Sequence, residues 1–278
     1  MITIGMRAHD LGTMNLAQLS SALHASGVGC IQLALSKALA DFPYRPGTLS
    51  PGFAQTVRSA LAARGVSIAV LGSYVNLIHP DPETRNQHLQ RFAEHLQFSR
   101  DFGCSIVGTE TGHKSSDGSP HPATQSAESF AELLSSAEFL AARAAQAGVF
   151  AALEPVADKH PLSTIERTAK LLTTLDHPNL KIIFDPVNLI PSQGIGDQTD
   201  FLTSAFQAFG EQMVCIHAKD FRIHRGQKIG TLPAGTGELD YPLLMKLIKT
   251  HKPGIHVLLE NTSPESLPQA KAFLESFS

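Results

Sequence analysis

Short apolar runs that end in a charged or hydrogen-bonding side chain recur along this chain, and helical periodicity fills the stretches between them. Lys181–Leu189, KIIFDPVNL, shows the pattern: Ile182, Ile183 and Phe184 run into Asp185, and a proline follows. An apolar run this short, bounded by turn chemistry, predicts a buried strand whose charge lies where the strand leaves the core. VFAALEP ends its run at Glu154, MVCIHAKD at His217 and IHVLLEN at Glu260, so the four ends lie 31, 32 and 43 residues apart. Each gap is close to one strand-plus-helix crossover of a parallel sheet.

The same reading extends upstream. Strands are predicted at Met1–Met6, Gly29–Leu35, Val66–Leu71 and Cys104–Val107, then at the run ending in Glu154, at the opening motif, at Met213–His217 and at Ile255–Glu260. Helix starts are marked by Asn15 with Gln18, Ser50-Pro51, Asp81-Pro82-Glu83, Ser126, Ser163 with Glu166, and Ser263-Pro264-Glu265. Each sets a capping side chain before a helix former or a proline at the first helical position. Eight strands alternating with about eight helices predict an α/β fold, a (β/α)8 TIM barrel, as one domain over residues 1–278. An open doubly wound sheet is the alternative, but no glycine-rich phosphate fingerprint follows the first strand. Two stretches interrupt the alternation. Lys114–Gln125 is polar and rich in Gly and Ser, suiting a surface connection or a loop over the site; Ala218–Asp240 carries several cations and the glycines of AGTGELDY, read as turn residues.

Composition narrows the partners. A net charge of −3 with no Lys/Arg block gives no footprint for nucleic acid. No apolar stretch approaches the length needed to span a membrane, and the start lacks the charged and apolar regions of a signal peptide. Cys30, Cys104 and Cys215 are scattered within apolar runs, which suits buried thiols in a reducing compartment. A cytoplasmic location is the expectation.

In a barrel the C-terminal strand ends meet on one rim. Two glutamates, an aspartate and a histidine arriving there make an oxygen-rich, one-nitrogen set that suits Mn²⁺, Mg²⁺ or Zn²⁺. Any one of them alone could be a polar cap paired with Lys or Arg. Gathered without a cation, the carboxylates would repel and be driven to protonate. Glu110 also ends an apolar run, as a substrate contact or as a partner for its own turn. His79 and His113 lie on rim loops, facing solvent or substrate. Lys219, Arg222, His224 and Arg225 suit either a grip on phosphate or sugar hydroxyls, or a solvated loop.

IIFDPVN, CIHAKD, LPAGTGELDY and VLLENT, with ALEP, NLIHPDPETR and IVGTETG, resemble the xylose isomerase-like barrels grouped as sugar-phosphate isomerases and epimerases. The resemblance spans nearly the whole chain and is specific for the superfamily more than for a substrate. It implies one divalent ion, Mn²⁺ first, with Zn²⁺, Mg²⁺ or Co²⁺ as alternatives, held by Glu154, Asp185, His217 and Glu260. It further implies proton exchange by Glu154 and Glu260, a small sugar or sugar phosphate as partner, and a homodimer or homotetramer. Two departures stand out. Asn188 occupies a position where ketose epimerases and the endonuclease branch often have histidine; it can donate to substrate but is a poor metal ligand. Arg222 stands five residues after His217, near but not in register with an epimerase arginine. No Asp-x-His ligand pair follows His217, which argues against the DNA-repair chemistry of that branch.

Three functions compete. A metal-dependent epimerase, most directly a ketose 3-epimerase, would use two carboxylates to exchange a proton through an enediolate. A dehydratase of the inosose or dehydroshikimate type would expel a β-hydroxyl instead. A non-catalytic sugar-binding protein would keep the fold without the chemistry.

Overall fold

In the computed structural model, which describes residues 2–115 and 119–277, the apolar runs close on one another. The strands are β1 (Thr3–Arg7), β2 (Cys30–Leu33), β3 (Ser67–Gly72), β4 (Ile106–Glu110), β5 (Phe150–Glu154), β6 (Leu180–Phe184), β7 (Met213–Ala218), β8 (Asp220–His224), β9 (Gln227–Leu232) and β10 (His256–Leu259). Eight of them form a closed parallel barrel in the order β1-β10-β7-β6-β5-β4-β3-β2. The first and last barrel strands pair through Thr3 with His256 to Met6 with Leu259. Buried on both faces, these strands read as nearly continuous apolar runs, as the sequence showed.

Between them run α1 (Leu16–Ser26), α2 (Leu35–Ala38), α3 (Pro51–Ala62), α4 (Pro82–Phe98), α5 (Ala127–Ala147), α6 (Ile165–Leu175), α7 (Pro186–Leu189), α8 (Gln198–Phe209), α9 (Tyr241–His251) and α10 (Leu267–Glu275). α5 shows how the ring packs: Phe130, Leu133, Ala137, Leu140, Ala141 and Ala144 recur at helical spacing and are all buried. Asn15 and Gln18 make the expected reciprocal capping box, and Ser50 and Asp81 cap α3 and α4 as expected. Cys30, Cys104 and Cys215 are free and buried.

Several boundaries differ from the sequence reading. The second strand ends at Leu33, and Leu35 instead opens α2. α6 is capped by Thr164, whose hydroxyl accepts from the Arg167 N–H; the expected cap, Ser163, donates to Gln125 at 2.7 Å. α8 is capped by Asp197, whose carboxylate accepts from the Thr199 and Asp200 N–H groups. α10 begins at Leu267, after the expected Ser263-Pro264-Glu265 cap. Within Ala218–Asp240, Asp220–Leu232 is a hairpin rather than a loop: β8 and β9 pair antiparallel, turning at Arg225 (φ 50°) and Gly226 (φ 74°). Two consecutive positive φ values match the twist of a tight hairpin. Part of the Lys114–Gln125 insert, Ser116–Gly118, lies outside the described residues.

The segment after the hairpin is tied to the barrel by Asp220. Its buried carboxylate accepts from the N–H groups of Phe221, Gly235, Gly237 and Leu239 at 2.9–3.0 Å. A side chain at Gly237 would sit 2.5 Å from that carboxylate and 2.2 Å from the Phe221 carbonyl, so the loop can close only on glycine. The Tyr241 hydroxyl then donates to the Lys219 carbonyl at 2.9 Å, fixing the backbone just past β7.

A candidate metal centre at the barrel mouth

Each of the four sequence-selected side chains leaves the barrel at the same rim. Glu154 ends β5, and His217 is the next-to-last residue of β7. Glu260 follows β10, with its N–H still paired to the Ala218 carbonyl at 3.0 Å. Asp185 follows β6 and caps α7: one carboxylate oxygen accepts from the Asn188 N–H at 2.9 Å, which leaves the other for the interior. All four are buried, and one ligand atom from each lies within 4.8 Å of the others.

Two cations brace the cluster. Lys219 Nζ lies 3.0 Å from Asp185 Oδ2 and 2.7 Å from Glu260 Oε1, and it donates to Asn188 Oδ1 at 2.7 Å. Asn188 in turn donates to Glu154 Oε1 at 2.6 Å, so the amide bridges lysine and glutamate. Arg7, at the end of β1, meets Glu260 Oε1 at 2.9 Å and is itself held by Asp10 and Asn261. Sequence reasoning selected Asn188 and Lys219 but missed Arg7.

The charges set one another. Burial opposes ionisation of Glu260, but Lys219, His217 and Arg7 outweigh it and hold the carboxyl well below the usual range. Burial pushes Asp185 up, with Lys219 working against that rise. Lys219 rises above its ordinary value because Asp185 and Glu260 overcome the cost of burying an ammonium. Glu154 Oε2 and Glu260 Oε2 stand 3.4 and 3.0 Å from His217 Nδ1. Against the opposing effect of burial, these carboxylates push the imidazole up to about 10. They draw positive charge to that nitrogen, and a divalent ion answers the same field.

His217 is oriented from behind. Its Nε2 lies 2.8 Å from Gln32 Oε1, and Gln32 Nε2 donates to the Tyr74 hydroxyl at 2.9 Å. Gln32 presents its carbonyl oxygen, so Nε2 carries the hydrogen and Nδ1 is turned toward the carboxylates. A polar residue inside the apolar run CIQLAL was the available signal for Gln32. The donor set fits a divalent ion: His217 Nδ1 and Asp185 Oδ2 are buried and make no hydrogen bond, although each has an ionic neighbour at 3.0 Å. Three carboxylates and one imidazole could therefore hold a hard or borderline cation.

Glu110 faces the mouth from β4, directly across the strand pair from Glu154. Burial raises its carboxyl to about 7, with Glu154 and Glu260 adding to the rise, although 41% of the side chain remains accessible through the mouth. The remaining selections fall outside the cluster. Arg222 is exposed on the hairpin and donates to the Thr236 carbonyl at 3.1 Å. His79 accepts from the Asp81 N–H at 3.1 Å and packs edge-on against His88.

Residues 21–277 match the family model described as xylose isomerase-like TIM barrel. No curated protein matches the chain in sequence. Among solved structures, the apo 3-keto-D-glucoside 4-epimerase from E. coli superposes with a TM-score of 0.78 at 16% identity, covering 99% of this chain and all (100%) of that one. D-psicose 3-epimerase with D-tagatose from Clostridium cellulolyticum H10 gives 0.73 at 13%, covering 99% of each chain. The probable 3-DHS dehydratase from Bacillus anthracis gives 0.72 at 16%, covering 99% and 98%. At these identities the likeness is one of fold. Among the described residues, no helix is long and apolar enough to cross a membrane.

Proposed function

Because the chain belongs to the xylose isomerase-like TIM barrel family, we propose that it is a divalent-metal-dependent sugar isomerase or epimerase, and that its reaction is epimerisation of a ketose at C3. The observation that carries this reading is the convergence of Glu154, Asp185, His217 and Glu260 within 4.8 Å. These four residues would hold the ion, with Mn²⁺ expected first. When bound, such an ion supplies Lewis acidity that acidifies the C–H between a carbonyl and a neighbouring hydroxyl.

Proton exchange falls to the two glutamates. They reach the cluster from β5 and β10, which stand on either side of β6 and β7 in the barrel order. A proton can thus leave one face of a bound ketose and be returned on the other, with the roles reversed in the back reaction. Glu154 accepts a hydrogen bond from Asn188 and faces His217 Nδ1. Glu260 sits against Lys219 and Arg7, which hold its carboxyl low and make it a ready donor once protonated. Asn188 and Lys219 line the same point and would steady substrate oxygens.

One observation favours a second reading. Lys219 places an ammonium inside the cluster, where it could protonate a departing β-hydroxyl, and the dehydratase fold neighbour keeps that chemistry in view. Product analysis separates the two, since dehydration alone yields an unsaturated product.

The first test is metal content of the purified protein beside Glu154→Gln and His217→Ala. About one Mn, Zn or Mg per chain is expected, sharply reduced in His217→Ala, together with solvent deuterium entering C3 of a ketose without loss of water. No metal in any form after Mn²⁺ soaking, and no exchange, overturns the proposal.

A further inference from the structure

The mouth of the barrel has two halves. The cluster occupies the ends of β5, β6, β7 and β10, whereas a cavity of about 230 Å³ opens at the ends of β3 and β4 and the segment after β5. Tyr74, Asn76, His88, Glu110, His113 and His160 are among its lining residues. Tyr74 and Glu110 stand where the halves meet: Tyr74 is hydrogen-bonded to the Gln32 that orients His217, and Glu110 pairs across the ladder with Glu154.

The polar content of the cavity is specific. His160 Nδ1 accepts the Gly112 N–H at 2.9 Å, so its Nε2 carries hydrogen, 3.6 Å from Glu110 Oε2. Gly112 (φ 87°) is required there, because a Cβ would lie 2.1 Å from Asn76 Oδ1. His113 Nδ1 is engaged with the Ser115 carbonyl at 2.8 Å, which leaves its Nε2 as an acceptor. The Tyr74 oxygen accepts from Gln32, leaving its own hydrogen to donate. Among the described lining residues there is no lysine or arginine. One ammonium, Lys37, lies 3.8 Å over the Tyr74 ring and in the field of Glu110.

Resting on the sugar-enzyme reading above, we infer that this cavity receives the uncharged polyhydroxyl end of the substrate and excludes a terminal phosphate, with Glu110 as the specificity-determining residue. Alternating donors and acceptors suit hydroxyl groups, each of which both donates and accepts. A phosphate placed there would meet a carboxylate at close range, or force it to take up a proton, with no guanidinium fork to receive its oxygens.

The test uses the full chain loaded with Mn²⁺, its metal content measured first, and calorimetric titration with a panel of neutral ketopentoses and ketohexoses against their terminal phosphates. The expected result is at least about a tenfold preference for a neutral ketose, falling to about threefold or less in Glu110→Gln and reversing in Glu110→Lys. The Glu110 carboxylate stands 3.6 Å from His160 Nε2, beyond hydrogen-bond reach, and matched melting temperatures would confirm that both variants fold. Tighter binding of a phosphate by the wild type, an unchanged preference in both variants, or no neutral ketose bound by metal-loaded protein overturns the inference. Metal content fails independently: its loss would strike the proposed function, whereas a phosphate preference with metal bound leaves that function standing.

Discussion

Gln32 decides which nitrogen of His217 faces the carboxylates, and it does so from the second strand, far in sequence from every group in the cluster. Its carbonyl oxygen, 2.8 Å from Nε2, holds the hydrogen on that nitrogen and leaves Nδ1 directed inward. Partners of this kind typically change metal affinity by about 10- to 100-fold when removed. Gln32→Leu is therefore expected to weaken Mn²⁺ binding by about that factor, while Gln32→Glu, which still accepts from Nε2–H, retains it. Calorimetric Mn²⁺ titration checks this, with the melting temperature of the metal-free protein as control. Equal weakening in both variants would show that packing, not ring orientation, is what Gln32 provides.

At the scale of elements, the hairpin and the loop that follows depend on one carboxylate. Asp220 satisfies four backbone donors of residues 221–239, including both glycines of AGTGELDY. An unsatisfied buried donor costs about 1–3 kcal/mol. Asp220→Asn turns one acceptor into an N–H facing other N–H groups, and a loss of about 2–4 kcal/mol in urea unfolding follows. A loss below about 0.5 kcal/mol, the level of an ordinary surface change, would refute the role assigned to Asp220. Because the loop leads to Tyr241, which fixes the Lys219 carbonyl, the variant should also loosen the cluster.

Across the whole molecule, buried histidines set the acid limb of stability. Burial lowers His95 to about 4, with its Nδ1 donating to the Arg91 carbonyl. The folded value lies below the ordinary histidine value, so the unfolded chain binds the extra proton first. Stability from the neutral ring is fully present above about pH 6.5 and is lost as pH falls toward 4. Between about pH 7 and pH 5 this one group accounts for about 2 kcal/mol. His95→Gln, whose amide can still donate to Arg91, should lose about that much less on acidification in urea unfolding. An unchanged pH difference would place the acid sensitivity elsewhere, His160 also being lowered to about 4 by burial.

The amino-acid sequence by itself determined the barrel and the four ends of the candidate centre. Both follow from local physics: apolar runs of strand length, capping residues at helix starts, and a charge where each run leaves the core. Glu154, Asp185, His217 and Glu260 were legible because each lies at or within one residue of the end of its own strand. Thr164 and Leu35 were misread because boundary choices turn on neighbours such as Gln125, which draws Ser163 away from the cap. Only the tertiary structure could bring Arg7 to Glu260 and Gln32 to His217, or set His160 beside Glu110. Those partners lie on different strands and loops, and closure of the barrel, which no local pattern encodes, decides which side chains meet at its mouth.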